Sequence, residues 1–241
     1  MAGGQAAVIA IRLLTTAAEY RAALALERDN WPLPDIELVP AHMFVVAAMT
    51  GGQSFGAFDG GRMIGFTLAF AACREGRPYL HSHMLAVQPP YRDRGIGRAL
   101  KLEQRRKALA GGLDLMEWTF DPLELKNAYF NIERLGAIVR RYVPDAYGTR
   151  ETPRGPLPSD RCVAEWHLRS ARAEAAAAGC APERGRVEAR VEVPELPAPG
   201  DTARLREIQR GVGARFQDCF AKGLAVTGFE RSCAYLFAKP D

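Results

Sequence analysis

The segment Tyr79–Leu102 reads YLHSHMLAVQPPYRDRGIGRALKL and predicts a strand, a sharp turn and the start of a helix. Tyr79–Val87 is apolar and rich in β-forming residues, and the two prolines that follow cannot donate hydrogen bonds to a sheet. Arg98–Ala110 consists mainly of strong helix formers. A strand that passes through a glycine-rich turn directly into a helix indicates an α/β protein.

The turn itself, Arg92–Arg98, has the features of an anion site. Gly95 and Gly97 allow a ligand to approach the backbone, and the first N–H groups of the helix point outward at the positive end of its dipole. Three arginines in the turn add positive charge. Position 100 is Leu, so the dinucleotide fingerprint lacks its third glycine, and the Gly-Lys-Ser/Thr of a nucleotide P-loop is also missing. The turn therefore predicts a phosphate site of another kind.

The pattern Arg-x-x-Gly-x-Gly directly after a strand resembles motif A of the GCN5-related N-acetyltransferase (GNAT) superfamily. The resemblance implies the GNAT fold, which is a mixed, mostly antiparallel sheet with a splayed central parallel pair, flanked by helices. It also implies acetyl-CoA or another acyl-CoA as the cofactor, with its pyrophosphate held by the turn. The implied pyrophosphate-binding residues are Arg92, Asp93, Arg94, Gly95, Ile96, Gly97 and Arg98.

The order of predicted elements agrees with that fold. Before the turn, the pattern predicts a short strand at Val8–Leu13, a helix at Ala17–Arg28 capped by Thr15 or Thr16, a second helix at Pro40–Met49, and a three-strand meander of Ser54–Phe58, Met63–Cys73 and Tyr79–Val87. After it, the pattern predicts a strand at Leu113–Phe120, a helix at Glu124–Leu135, a strand at Ala137–Val143, a loop over residues 144–160 and a strand at Cys162–Leu168. The GNAT domain is therefore predicted to cover residues 8–168. Residues 169–241 predict a C-terminal α/β extension of linker, strand, helix and terminal strand or hairpin. This extension is expected to pack on or beside the domain, to shape the acceptor pocket or to mediate homodimer formation.

The strand before the turn is expected to hold the reactive end of the cofactor. In GNAT proteins the backbone of this strand pairs with the thioester carbonyl and the pantetheine amides, which implies Leu85, Ala86 and Val87 in this chain. The implied parallel neighbour is Leu113–Phe120, and the splay between the two strands exposes unpaired amides. A pantetheine arm can add to such amides as a short strand would.

Two histidines of the same strand are candidate catalytic residues. His81-Ser82-His83-Met84-Leu85-Ala86-Val87 is similar to the His-x-His-x-Leu-Ala-Val strand of arylalkylamine N-acetyltransferases, in which both histidines relay the amine proton. Residues two apart share a strand face and lie roughly 7 Å apart, so alternation also predicts Leu85 and Val87 on the histidine face. Histidine titrates near neutrality and can accept a proton from an alkylammonium, with His83 the nearer to the cofactor. The alternative is a pair of hydrogen-bonded sheet histidines without a catalytic role.

The segment Asn127–Ala137 resembles GNAT motif B with one departure. The superfamily often carries a tyrosine four residues before the motif glycine, and this chain has Ile132 there. Tyr129, one turn earlier, is the candidate that protonates the leaving thiolate, and the other option is that the thiolate leaves unassisted. Asn127 is expected to hydrogen-bond the pantetheine or a water near it. The surrounding pattern looks like a group of bacterial predicted GNAT acetyltransferases.

Other charged residues leave alternatives open. Glu117 lies in mid-strand and is a second candidate base, or else a salt-bridged or outward residue. Asp121 precedes a proline and is expected to cap a turn and the next helix. Arg140 and Arg141 are adjacent, so they are expected on opposite faces of their strand, as surface charge or as a contact to an acidic acceptor.

Composition restricts the class of protein. The chain has 241 residues, of which 48% are hydrophobic, and 32 basic against 28 acidic residues, a balance that does not indicate nucleic-acid binding. Its five cysteines are widely spaced without a Cys-x-x-Cys pair, so neither a disulfide framework nor a metal site is expected. We expect reduced cysteines and a cytoplasmic protein. No signal peptide or membrane-spanning run is predicted.

The residues and the resemblance together predict an acyl-CoA-dependent N-acyltransferase that moves an acetyl group to a small amine. One alternative is a GNAT-fold protein that binds CoA or acyl-CoA as a sensor or scaffold, which the missing motif B tyrosine favours. Another is a protein N-acetyltransferase in which the C-terminal extension shapes a peptide groove. The acceptor and the acyl length are left open by the sequence.

Overall fold

The computed structural model describes residues 9–31, 34–152 and 155–240, and the chain divides into two compact units, Met1–Met116 and Glu117–Asp241. The predicted class, a mixed and mostly antiparallel sheet with one parallel pair and flanking helices, is confirmed. The splay of the parallel pair and the domain boundary at residue 168 stay predictions. Within the described ranges, no helix has the length and apolar character needed to cross a bilayer.

The first unit is an antiparallel sheet with helices on both faces. In chain order its elements are β1 Ala10–Leu13, α1 Ala17–Asn30, α2 Ala41–Met49, β2 Gln53–Asp59, β3 Arg62–Arg74, β4 Arg77–Val87 and α3 Ile96–Ala110. Strand β1 pairs with β2, β2 with β3, and β3 with β4. All of these elements were predicted from periodicity and turn residues, with bounds that differ by only a few residues.

Helix α1 begins where the sequence predicts a cap. The hydroxyl of Thr16 accepts the N–H of Glu19 at 3.3 Å, and the carboxylate of Glu19 accepts the N–H of Thr16 at 3.1 Å. This reciprocal capping box satisfies two N–H groups that a helix start leaves unpaired. Near the end of α1, the buried Glu27 accepts the N–H of Val39 at 3.0 Å, which ties α1 to the segment that leads into α2.

Separate apolar clusters cover the two faces of the first unit's sheet. Tyr20 of α1 and Phe44 of α2 pack on one face against Phe66, Leu68 and other strand residues. On the other face, Ile96 and Leu100 of α3 pack against Phe55, Ile64 and Val87. Strands β2, β3 and β4 therefore have side chains buried on both faces, and the cluster to which a residue belongs shows which face it occupies.

A β-bulge in β4 corrects the predicted alternation of that strand. The pairing with β3 passes from Leu68 opposite Met84 to Ala69 opposite Ser82, so His83 is an extra residue without a partner in β3. As a consequence, Met84 joins the α1–α2 cluster and Leu85 joins the α3 cluster.

The prediction that Leu85 and Val87 share the face of the histidines is therefore wrong. Both residues pack toward α3, whereas Phe70, whose ring contacts that of His83, packs toward α1 and α2. The extra residue reverses the alternation of every side chain that follows it. Simple alternation of apolar and polar residues gave no sign of this insertion.

The second unit is also a layered α/β structure. In chain order its elements are β5 Leu115–Phe120, which starts just before the unit boundary, α4 Leu125–Tyr129, β6 Ile138–Val143, β7 Thr149–Arg150, β8 Leu157–Pro158, β9 Arg161–His167, α5 Ala171–Ala177, β10 Ala189–Glu192, α6 Thr202–Ala221, β11 Ala225–Glu230 and β12 Ala234–Ala238. Strand β6 pairs with β9 and β11, β11 with β12, and β12 with β10, all antiparallel.

Two predictions for this unit need correction. The helix predicted over Glu124–Leu135 is only a short α-helix, and Phe130–Arg134 continues it as a π-helical turn. The loop predicted over residues 144–160 contains the small β7–β8 hairpin, and Pro153 and Arg154 of that loop lie outside the described residues. Wider helical turns leave the apolar spacing of a short helix almost unchanged, so the pattern could not reveal the π-helical turn.

The C-terminal segment continues the sheet of the second unit. Val226 of β11 pairs with Val139 of β6, and the ring of Phe216 in α6 packs against Tyr142, Tyr235 and Phe237 at centroid distances of 6.0, 4.8 and 5.1 Å. The predicted terminal hairpin is confirmed as β11 and β12. Residues after 168 thus share a core with β6 in this unit.

A pair of glycines tests the packing of α5 in the second unit. Gly136 and Gly148 both have φ of +76°, but a Cβ at Gly136 would stand 2.5 Å from the carbonyl oxygen of Arg172, whereas no described atom lies within 4 Å of one at Gly148. Both alanine variants carry the same left-handed strain. We expect Gly136→Ala to lower the free energy of unfolding by about 1–3 kcal/mol more than Gly148→Ala.

Thermal unfolding of the two variants measures this difference. Equal melting temperatures for Gly136→Ala and Gly148→Ala would show that α5 does not press on Gly136.

Candidate functional site

The turn between β4 and α3 is compact because two of its residues adopt left-handed backbone conformations. A 3₁₀ turn at Pro89–Tyr91 follows β4, and then Asp93 and Gly95 have φ of +60° and +79°. Glycine tolerates this conformation without cost, and aspartate is among the few other residues that adopt it readily. The chain thereby reverses direction within a few residues, and α3 begins at Ile96.

Helix α3 begins without a side-chain cap. Its N-cap is Gly95, and the first helical hydrogen bond runs from Ala99 N–H to Gly95 O at 2.9 Å. By contrast, side chains cap α1, α5 and α6, through Thr16, Ser170 and Asp201. The N–H groups of residues 96–98 precede the first helical hydrogen bond of α3 and lie at the positive end of its dipole, which is the arrangement that binds phosphate.

The space around the turn fits a phosphate-bearing group. No described atom lies within 4 Å of the point where a Cβ would stand on Gly95, so a ligand can approach the backbone there. At Gly97, a Cβ would stand 3.4 Å from Leu85 Cδ2, and the absent side chain lets the helix start close to β4. The close approach predicted for both glycines therefore agrees with the open space at Gly95, whereas the geometry at Gly97 also shows a packing role that was not predicted.

The three arginines of the turn lie in different surroundings. Arg92 donates to Val87 O at 3.1 Å and to Asn30 Oδ1 at 2.7 Å, so it ties the end of β4 to the end of α1. The guanidinium of Arg94 lies 5.4 Å from the ring centroid of Tyr91 and is exposed, and Arg98 is half-buried on the first turn of α3. Arg94 is thus the arginine best placed to meet an anion from solvent, while Arg92 also stabilises the fold.

His81 and His83 lie on one face of β4, as predicted, with ring centroids 6.2 Å apart. The ring of His83 is tilted by 60° against the ring of Phe70, with the centroids 5.7 Å apart, and Phe70 belongs to the face that packs against α1 and α2. Solvent reaches His83, yet the protein around the ring desolvates it and lowers its pKa below the ordinary 6.5. A pKa below 6.5 leaves His83 mostly neutral at pH 7 and able to accept a proton.

The opposite face of β4 carries a buried polar chain that sequence reasoning missed. Lys101 of α3 is 3% exposed and donates from Nζ to Ser82 Oγ at 2.7 Å, and Ser82 donates to Gln104 Oε1 at 3.1 Å. Burial lowers the pKa of Lys101 from 10.5 to about 7. Helical spacing could have indicated this burial, because Lys101 and Gln104 lie on the same buried face of α3 as Leu100 and Ala108.

In the second unit, Glu117 is engaged in an ion-pair network. It is 2% exposed, and its Oε1 lies 2.7 Å from the guanidinium of Arg141, which also donates to Glu165 at 3.2 Å. Arg140 donates to the same Glu165 at 2.9 Å through Nε. The salt-bridged interpretation of Glu117 is the one that this geometry shows.

Arg140 and Arg141 do not face opposite sides of β6, and that prediction is wrong. A bulge in the pairing of β6 with β9 leaves Arg140 as an extra residue between Val139 and Arg141. Both guanidinium groups therefore reach Glu165. Burial raises the pKa of this carboxyl, but a hydrogen bond from His167, a hydrogen bond from Arg140 and the charges of the two arginines outweigh burial and lower the pKa to about 2.

The motif B residues of the second unit are distributed between core and surface. Ile132 is fully buried, and Asn131 accepts the indole N–H of Trp118 at 3.1 Å. Tyr129 is half-buried at the end of α4 and Asn127 is exposed, so both remain candidates for ligand contact. Asp121 accepts the N–H of Leu123 at 2.8 Å, which is the turn role predicted for it.

Comparison with protein families matches residues 18–136 to the family described as "Acetyltransferase (GNAT) family". Comparison with curated proteins gives no significant match. Among solved structures, the ribosomal-protein-S18-alanine N-acetyltransferase of Escherichia coli has a TM-score of 0.56 at 18% identity, covering 68% of this chain and 96% of that one.

Two further solved structures have the same fold. The putative acetyltransferase yncA of Salmonella typhimurium, with its cofactor acetyl-CoA, has a TM-score of 0.54 at 15% identity over 68% of this chain and 95% of that one. Naa50 of Arabidopsis thaliana, in complex with the bisubstrate analogue CoA-Ac-MVNAL, has a TM-score of 0.51 at 14% identity over 65% and 97%. At these identities the likeness concerns the fold alone.

The buried lysine makes stability depend on pH in a predictable direction. The pKa of Lys101 is about 7 in the folded protein and near 10.5 in the unfolded chain, so between these values the unfolded chain binds a proton that the folded protein does not. The free energy of unfolding should therefore rise with pH across this window, by up to about 1.4 kcal/mol per pH unit. The Lys101→Met variant should lose this rise.

Urea unfolding at several pH values between 7 and 10 checks the difference between wild type and variant. An identical slope in Lys101→Met would assign the pH dependence to other groups.

Proposed function

Because the chain contains a domain of the GNAT acetyltransferase family, whose members are acyl-CoA-dependent N-acetyltransferases, we propose that it transfers acetyl from acetyl-CoA to a small-molecule amine, with His83 as the base. The observation that carries the proposal is one continuous segment of the first unit. In this segment two histidines lie side by side on one face of a bulged strand, and the strand ends at a glycine turn that opens a helix without a side-chain cap. The segment thus combines a proton acceptor with an anion site.

The same segment is proposed to hold the cofactor, which supplies the acetyl thioester when bound. The N–H groups of residues 93–98 hold the pyrophosphate, and Arg94 and Arg98 add charge to that grip. The backbone of Leu85, Ala86 and Val87 pairs with the carbonyl and pantetheine amides. Asn127 is proposed to hydrogen-bond the pantetheine, and Arg92 acts mainly by holding the turn in place, because its donors already reach Val87 and Asn30.

His83 is proposed to receive the proton of the attacking amine. It does so as the amine nitrogen bonds to the acetyl carbon and the carbon–sulfur bond breaks. A neutral imidazole can accept this proton at pH 7, and the low pKa of His83 keeps the imidazole neutral. His81, with its ring 6.2 Å away, passes the proton on to solvent through an intervening water. Tyr129 is proposed to protonate the leaving thiolate.

Transfer to a protein amine is the second candidate function. It is favoured by the similarity in fold to the ribosomal-protein-S18-alanine N-acetyltransferase and to Naa50, which holds an analogue that includes the residues MVNAL. A non-catalytic acyl-CoA sensor is the third, and the buried Ile132 at the usual tyrosine position favours it. Thiol release from acetyl-CoA, measured with a panel of small primary amines and of peptides with free N-termini, separates the three candidates.

The cofactor site can be tested with one carboxylate. Gly95→Glu places a negative charge in the open space at the start of α3, where we propose that the pyrophosphate binds, and should abolish acetyl-CoA binding. In wild type, acetyl-CoA at about 100 times its Kd should add about 2.7 kcal/mol to the free energy of unfolding, visible as a rise in Tm. The variant should show no such rise.

Gly112→Glu is the matched control at the other end of α3. Its φ of +78° is within a degree of that of Gly95, and no described atom lies within 4 Å of its Cβ position. It should keep the full rise in Tm. Retention of the rise in Gly95→Glu would refute the assignment of the turn.

The base can be tested by substituting one histidine at a time. We expect His83→Gln to lower kcat/KM by about 10²- to 10⁴-fold, because no group then accepts the amine proton. His42→Gln, on the exposed side of α2, should leave kcat/KM unchanged.

The pH profile provides the second part of this test. In wild type, kcat/KM should fall as pH drops through the pKa of His83, which lies below 6.5, because the protonated ring cannot accept a proton. If His83→Gln keeps the same acid limb and Glu117→Gln loses it, the carboxylate is the base and the assignment of His83 is wrong.

A further inference from the structure

Lys101 is a buried ionisable side chain that neither the cofactor turn nor the proposed proton transfer uses. It is 3% exposed and lies on the buried face of α3, together with Leu100 and Gln104. A lysine ammonium loses favourable hydration when it is buried, and an apolar residue of similar length avoids that loss. Helix packing alone therefore does not account for a lysine at this position.

The contacts of Lys101 lead directly to the strand that carries the histidines. Its Nζ donates to Ser82 Oγ at 2.7 Å, and Ser82 in turn donates to Gln104 Oε1 at 3.1 Å. Lys101 and Gln104 lie three residues apart on one helix face, so they hold the Ser82 hydroxyl from two sides. Both Ser82 and Gln104 are buried, at 3% and 0% exposure, which makes these hydrogen bonds stronger than surface ones.

Ser82 is the residue whose position matters most for the histidines. It lies between His81 and His83 in β4, and it is the last residue paired with β3 before the bulge. With its side chain held toward α3, the residues on either side must point the other way, toward the α1–α2 face. A bulge lacks one set of ladder hydrogen bonds, so its geometry depends on side-chain contacts of this kind.

We propose that Lys101 is a positioning residue, which through Ser82 fixes the bulged segment of β4 and so the orientation of the His81–His83 pair. This inference rests on the proposed function, because the orientation matters only if the pair handles the amine proton. Burying a lysine, which is normally exposed, lowers the stability of the fold. Such a loss is expected where a residue serves a functional site. The low pKa of Lys101 is consistent with the cost of burying it.

The experiment compares Lys101→Met, Ser82→Ala and Lys107→Met in the full-length protein. Lys107 is the matched control, an exposed lysine of the same helix. The Hε1 signals of His81 and His83 are followed by NMR through a pH titration. The affinity for acetyl-CoA is measured by calorimetry, and kcat by thiol release from acetyl-CoA with the amine panel.

Both Lys101→Met and Ser82→Ala should shift the histidine signals and lower kcat roughly 10- to 100-fold, while the Kd for acetyl-CoA stays within about twofold. The double variant should be no worse than the worse single variant, because both changes break the same link. Lys107→Met should match wild type in every measurement.

Unchanged histidine signals in Lys101→Met and Ser82→Ala would overturn the positioning role. Shifted signals with unchanged turnover would overturn it too, since the orientation would then not matter for the reaction. Loss of acetyl-CoA affinity in parallel with kcat would indicate general loss of structure and would also contradict the proposal. Failure of the proposed function is seen separately, as unchanged turnover in His83→Gln with intact acetyl-CoA binding.

Discussion

The extra residue in β4 is the constraint on which the candidate site depends. At His83 the pairing with β3 advances by one residue, and the side chains that follow change faces. The histidines consequently lie on the face of α1 and α2, while Leu85 and Val87 pack under α3 and anchor the start of that helix. Without the bulge, either the histidines or the apolar anchor of α3 would lie on the wrong face.

The anchor under α3 explains how the turn can serve as an anion site. Val87, Ile96 and Leu100 are buried in one cluster, so packing fixes the start of the helix and no side-chain cap is required. Helices α1, α5 and α6 use Thr16, Ser170 and Asp201 for that purpose, whereas α2 and α4 also begin without a side-chain cap. The N–H groups at the start of α3 remain available for a ligand, and the turn before them contains two left-handed residues, Asp93 and Gly95.

Much of the fold could be predicted because its signals are local. The helix cap at Thr16, the glycine turn and the alternation of the strands each depend on residues close in sequence. The bulges at His83 and Arg140, the π-helical turn at Phe130–Arg134 and the burial of Lys101 depend on tertiary packing. The pattern of apolar and polar residues does not show where a single residue is inserted into a strand. A lysine in a helix is predicted to be exposed unless its neighbours on the same helix face are compared.

Hydrogen exchange of the Met84–Arg98 segment tests the central claim most directly, because that claim places the cofactor on backbone N–H groups. At saturating acetyl-CoA, the amides of residues 93–98 should exchange more slowly than in the free protein, and those of Leu85–Val87 should be protected as well. Protection confined to other parts of the chain, with unchanged exchange in Met84–Arg98, would contradict the assignment of this segment as the cofactor site.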